Sequence, residues 1–142
     1  MGIEKRGRVL GVDYGDVRTG IAISDDSRFL ASGITTLREN GMVKTAERVA
    51  REAAERGAVL IVCGLPRNMD GSEGGRAEVI RAFVSYLQGY TEIPIELWDE
   101  RLSTVEAHRI LSSSNVGGRK RKAVVDTLAA EIILQSYLDA HR

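Results

Sequence analysis

Val9-Leu10-Gly11-Val12-Asp13, a short turn through Gly15 and Asp16, and then Thr19-Gly20-Ile21-Ala22-Ile23-Ser24 read as two largely apolar strands joined by a tight reversal. Phe29 to Leu37, after the Asp25-Asp26-Ser27 turn, reads as a third strand, so the chain opens with an antiparallel meander. Further along, Met42, Ala46, Val49, Ala50 and Ala53 recur at helical spacing, and Gly57 is placed to end that helix. Ala58 to Cys63 is an unbroken apolar run, the signature of a strand covered on both faces and therefore parallel and central. A glycine-rich loop from Gly64 to Gly75 leads to a helix with Ala77, Ile80, Val84 and Leu87 on one face, and Ile93 to Trp98 makes a fifth strand. Ser103-Thr104-Val105-Glu106 has the capping-box form and predicts a helix to about Leu111. A last helix runs from Lys122 to Ala140, with Asp126, Ala130, Ile133 and Tyr137 along one face. This βββαβαβαα order, with right-handed crossovers, predicts an α/β fold: one mixed five-stranded sheet flanked by helices, in a single domain spanning residues 1–142.

The 142 residues, 43% hydrophobic with two prolines, suffice for one sizeable core. The longest apolar run, Ala58 to Cys63, is far short of a membrane span, and the N-terminus lacks a secretory apolar region, so the expected location is cytoplasmic. A lone Cys63 excludes an internal disulfide and a cysteine zinc cluster and reads as a small core residue. Twenty basic and twenty acidic side chains cancel, so overall charge does not draw the protein to nucleic acid. Distribution matters more: Arg119, Lys120, Arg121 and Lys122, after Asn115-Val116-Gly117-Gly118, read as a basic loop able to meet phosphates, against the plainer reading of a solvated charged loop.

Three carboxylates stand where a charge is costly. Asp13 and Glu100 each close an apolar strand, and Asp126 interrupts a segment apolar around most of its circumference. An isolated buried carboxylate costs several kcal/mol or takes up a proton, so the economical arrangement brings the three together around a cation. Oxygen-only ligands select Mg²⁺ or Mn²⁺. In an open sheet with parallel strands, ligands gather at the strands' carboxyl ends, where Asp13, Gly64 and Glu100 all fall.

DYGDVRTG at 13–20, GLPRNMDGSEG at 64–74, DERLSTVEA at 99–107 and VDTLAAEIIL at 125–134 together resemble the YqgF/RuvX family over nearly the whole chain. The resemblance implies a ribonuclease H-like fold and a nuclease that matures the 5′ end of precursor 16S ribosomal RNA, in a family also described as Holliday junction resolvases. Its partners would be precursor rRNA or branched DNA. The family's acidic triad falls by motif on Asp13, Glu100 and Asp126, the residues the burial argument selects. Thr127 stands where some relatives carry serine or another polar residue, which leaves an auxiliary ligand open.

Such a site points to metal-dependent phosphodiester hydrolysis, in which two cations about 4 Å apart activate water and stabilise the leaving oxygen, so that no histidine base is required. His108 and His141 fit no triad. Arg18 and Arg101 are placed to hold a phosphate through two hydrogen bonds, or to form surface ion pairs. Asn68, with the backbone around Gly71 and Gly74, lines the substrate groove if the resemblance holds, and Asp99 faces away from Glu100 into a structural pairing.

Two other classes compete. Asp13-x-Gly15 followed by Thr19-Gly20 also resembles the first phosphate loop of the actin, sugar kinase and chaperone ATPase superfamily, which needs two such domains around its nucleotide. A non-catalytic nucleic-acid module would use the basic run but gain nothing from three carboxylates that repel phosphate. Resolution of a junction implies two sites on a symmetric dimer, whereas trimming an RNA end needs one, so monomer and homodimer both stay open.

Overall fold

The computed structural model describes residues 7–103 and 119–142, with the side chains of the last helix described from Thr127 onward. Five strands, β1 (Arg8–Asp13), β2 (Thr19–Ser24), β3 (Ala31–Leu37), β4 (Ala58–Leu65) and β5 (Ile95–Asp99), form one sheet in the order β3-β2-β1-β4-β5. β1 pairs antiparallel with β2 and β2 with β3, whereas β1–β4 and β4–β5 are parallel. That is the expected mixed sheet, with the apolar β4 inside it.

Strand alternation divides the core into two layers. Leu10, Val12, Ile61 and Cys63 pack under α1 (Met42–Glu55) and α2 (Gly75–Gln88), while Val9, Ala22 and Val62 pack under α3 (Arg119–Ala140). Burial of Ala46, Val49, Ala50 and Ala53 follows the predicted helical stripe of α1. Gly57, at φ +70, supplies the left-handed residue after that helix. Within α1, the buried Glu52 accepts hydrogen bonds from Arg48 (3.3 Å) and Arg56 (3.0 Å), which compensates its desolvation.

Several boundaries differ from the sequence reading. β3 begins at Ala31 because the Asp25 carboxylate accepts from the backbone N–H groups of Phe29 (2.8 Å) and Leu30 (2.9 Å), holding both in the turn. β5 begins at Ile95, after a proline that has no N–H to donate. In α2 Phe83 is fully buried beside Ala77, Ile80 and Leu87, and Val84 packs half-buried against the same core. Arg119, Lys120, Arg121 and Lys122 belong to α3 and not to a loop before it, and their side chains lie outside the described residues. Beyond Ser103 the helix expected to run to Leu111, with His108, also lies outside them; Glu100–Leu102 is a single 3₁₀ turn. Among the described residues no helix is long and apolar enough to cross a membrane.

Glycines let α3 approach the sheet closely. A methyl group on Gly11 would lie 2.7 Å from Leu134 Cβ and 3.1 Å from the Ala130 carbonyl, and one on Gly64 would lie 2.6 Å from Ile133 Cδ1. On β3, a methyl at Gly33 would run into the Thr127 side chain. The free edge of β3 is covered by α3 as well, since Ala31 N–H donates to Gln135 and Gly33 N–H to Glu131, each at 2.8 Å.

Candidate active site

Asp13 is the last residue of β1 and only 7% exposed. Gly11, two residues earlier, faces α3, so alternation places Asp13 on the same face. Val12 pairs with Cys63, which makes Gly64 the neighbour of Asp13 on β4, and Gly64 pairs with Trp98 on β5. Glu100 follows β5, and its Cγ would lie 3.2 Å from a methyl on Gly64, on the side that Ile133 of α3 also covers. The two carboxylates thus belong to the ends of β1 and β5, on either side of β4, whose Gly64 lies between them and lets Ile133 of α3 and Glu100 approach closely.

Glu100 is held from both sides. Trp98 Nε1 donates to Ser136 Oγ (3.0 Å), and Ser136 donates to the Leu102 carbonyl (2.8 Å), so one serine of α3 ties together the residues two before and two after Glu100. The Ser103 hydroxyl donates to the Glu100 carbonyl at 3.0 Å. Asp99 faces elsewhere, as expected: its carboxylate accepts from the backbone N–H and the guanidinium of Arg101, the shortest contact being 2.7 Å, and these bonds hold it below the ordinary carboxylate range. Arg101 therefore has an acid partner already, and its Nη1 also reaches the Met69 carbonyl at 3.5 Å.

The loop after Asp13 is a tight turn. The Thr19 hydroxyl bonds both the N–H (3.3 Å) and the carbonyl (3.4 Å) of Gly15, and a methyl on Gly15 would strike the Arg18 carbonyl, which is why glycine stands two residues after the aspartate. Arg18 is half-buried in this turn. Tyr14 turns into the other layer and stacks on Phe83 with ring centroids 4.4 Å apart.

Asn68 organises the loop after β4. Its side chain donates to Ser72 Oγ (3.0 Å), and Gly71, at φ +90, donates back to its carbonyl (2.9 Å). Asn68 also lines a cavity of about 410 Å³ together with Arg67, Gly74, Arg76 and Glu100. Sequence reasoning passed over Arg67 and Arg76. The available signal was position, one arginine directly after the β4 run and one in the first turn of α2. Cys63 lies under α1 and α2, where burial first and the Asp13 charge second push its thiol up to about 12; it offers no metal ligand.

The donor set fits a hard divalent cation: Asp13 and Glu100 supply carboxylate oxygens on one face of the sheet. Among the described residues no three acidic, histidine or cysteine side chains come together, and Asp126, in α3 one residue before Thr127, has its side chain outside them.

The fold is that of known resolvases. The chain is similar to Thermus thermophilus RuvC solved with a Holliday junction substrate (TM-score 0.59, 13% identity, 95% of each chain covered). It is also similar to the fowlpox virus Holliday junction resolvase (TM-score 0.54, 14% identity, 95% and 99% covered). At those identities the likeness speaks for the ribonuclease H-like fold alone. Sequence relatives are much nearer. A protein of Myxococcus xanthus named as a pre-16S rRNA nuclease is 45% identical over 135 residues, 95% of this chain and 89% of that protein. One of the same name from Rhodopseudomonas palustris is 48% identical over 134 residues, 94% and 84% respectively. The profile of the RuvX family, described as Holliday junction resolvase, matches residues 7–140, and with these relatives it establishes that the chain belongs to the RuvX family of nucleases.

Proposed function

We propose that this chain is a cytoplasmic, divalent-metal-dependent endonuclease that matures the 5′ end of precursor 16S rRNA, with Asp13, Glu100 and Asp126 as its metal ligands. The observation that carries the reading is the placement of two carboxylates, one of them buried Asp13, at the carboxyl ends of β1 and β5 on either side of Gly64 of β4. The names of these sequence relatives suggest the substrate. Bound Mg²⁺ or Mn²⁺ would supply Lewis-acid polarisation of the phosphate and an acidified water.

The chain's own part is positioning. Asp13 is fixed by the β1 ladder and Glu100 by the Trp98–Ser136–Leu102 bridge, so neither carboxylate needs to reorganise as the phosphate arrives. Arg18, Asn68, Arg101 and the basic run Arg119, Lys120, Arg121 and Lys122 are the candidates for the flanking phosphates, Arg101 only by exchanging its bond to Asp99. The family's description also supports action on four-way DNA, and one assay separates the two readings.

Purified protein with Mn²⁺ is given labelled precursor rRNA and, in parallel, a labelled four-way DNA junction, with Asp13→Asn as control. Cleavage of the RNA alone, abolished in the variant, is the expected result. Paired symmetric cuts in the junction would move the assignment to resolvase, and wild-type cleavage by folded Asp13→Asn would overturn the site.

A further inference from the structure

Resting on the nuclease reading, we propose that the cavity between the β4–α2 loop and Glu100 binds a phosphate of the nucleic-acid strand adjacent to the one being cut, with Arg67 as its principal donor. Among the described residues Arg67 Nε is buried with no hydrogen-bond partner, while the Arg67 side chain, 33% exposed, lines the cavity of about 410 Å³ that Asn68, Gly74, Arg76 and Glu100 share. A buried guanidinium donor is costly to leave unsatisfied, and the group that satisfies it must be an acceptor. Its nearest acid does not fill that role. Glu73 is gripped by the fork of Arg81 at 2.8 and 2.7 Å, which leaves Arg67 as its outer partner at 3.5 Å.

Arg76, on the opposite wall, is held in place. Its Nη2 donates to the Tyr14 carbonyl (2.7 Å) and its Nη1 to the exposed Asp16 (3.2 Å), so it fastens the loop after Asp13 to the first turn of α2. The cavity is therefore bounded by Glu100 itself and, through Arg76, by the loop that Asp13 begins. Its two guanidiniums disfavour a second cation, and the buried donor disfavours an apolar ligand. A phosphate diester offers only acceptor oxygens, and a guanidinium meets them in its own plane. A phosphate held here places the strand on the β4–α2 side of Glu100 and fixes the direction in which it crosses the carboxylates.

Binding of a fluorescein-labelled oligoribonucleotide to the full chain, in the Asp13→Asn background so that cleavage does not intervene, tests this without relying on turnover. Adding Arg67→Gln should weaken affinity about tenfold and reduce the slope of log K against log salt by about 0.7, one single-strand phosphate contact, while Arg67→Lys recovers the slope but not the full affinity. Unchanged affinity and slope in folded Arg67→Gln would overturn the cavity's assignment, whatever the nuclease assay shows. Should Arg67→Gln fail to fold, oligonucleotides carrying one neutral methylphosphonate at successive positions replace it: one position at which neutralisation weakens binding, and does so by a smaller factor in Arg67→Lys, supports the site, and uniform effects overturn it. Loss of the binding effect with cleavage intact would remove the cavity alone; a binding effect with no cleavage of any substrate would leave the cavity and remove the nuclease reading.

Discussion

The hydroxyls of Thr127 and Thr36 share a hydrogen bond of 2.7 Å, and it pins α3 to the row of the sheet that contains Asp13. Thr36 pairs with Gly20 across β2, and Gly20 pairs with Asp13 across β1, so the three form one transverse line. Thr127 directly follows Asp126, and its hydroxyl is engaged with β3. Thr127→Val should cost about 1 kcal/mol of stability, lower cleavage and raise the Mn²⁺ concentration needed for half-maximal activity, with Thr127→Ser restoring all three. An Mn²⁺ titration of cleavage alongside thermal melts checks this; a merely structural role would move the melt and leave the Mn²⁺ requirement alone.

Close packing of α3 predicts an ordering among glycine variants. Gly11→Ala forces a methyl against Leu134 Cβ and the Ala130 carbonyl, and should destabilise by about 1–3 kcal/mol. Gly75→Ala puts a methyl where nothing lies within 4 Å, at a helical residue, and should be neutral or stabilise by up to about 1 kcal/mol. Urea unfolding of the two variants measures the contrast.

If Arg101 meets a substrate phosphate, Asp99 competes with that phosphate for its guanidinium. Removing the acid by Asp99→Asn takes away the charge that holds the guanidinium at 2.7 Å. Because the pair is partly exposed, stability should change by less than about 1 kcal/mol. RNA affinity should rise several-fold and become steeper in salt, read by fluorescence anisotropy; an unchanged affinity would take Arg101 out of the phosphate contacts.

Burial under α1 and α2 keeps the Cys63 thiol protonated, pushed up to about 12. Thiol-disulfide reagents at neutral pH should leave the folded protein unmodified and label it stoichiometrically in denaturant. Rapid labelling of the native state would contradict the packing of β4.

The Asp25 turn should set part of the acid limit of stability. Bonds from the Leu30 N–H first, then the Ser27 hydroxyl, hold the carboxyl down at about 2. A depressed folded value adds stability above the ordinary carboxylate range near 4, and that share is lost as pH falls through about 2. Asp25→Ala should lower the melting temperature at neutral pH and flatten its decline between about pH 4 and 2, as followed by circular dichroism.

Local order told the chain what it would become wherever a short pattern has one physical solution. The apolar run ending at Asp13 and the Ala46–Ala53 stripe stand in the structure as read, and the Ala58–Cys63 run is a strand packed on both faces, with Val59 exposed and the strand carried on through Gly64 and Leu65. Asp13 does close a buried apolar strand, whereas Glu100 opens a 3₁₀ turn after the half-exposed β5. Positions set by side-chain hydrogen bonds and by packing between layers were not legible. Phe29 and Leu30 leave β3 because Asp25 takes their N–H groups, Phe83 joins the core of α2 in a stack with Tyr14, and Arg101 spends its charge on Asp99. Arg67 and Arg76 looked like ordinary surface arginines until the fold set them around one cavity with Glu100. Sequence by itself determined the five strands, α1, α2 and α3, and that Asp13 falls at the carboxyl end of β1, since these follow from backbone periodicity and the cost of burying charge. Only the tertiary structure decided which donors face those carboxylates, because hydrogen bonds between residues some sixty or ninety positions apart, Arg76 to Tyr14 and Thr127 to Thr36, exist only once the layers close.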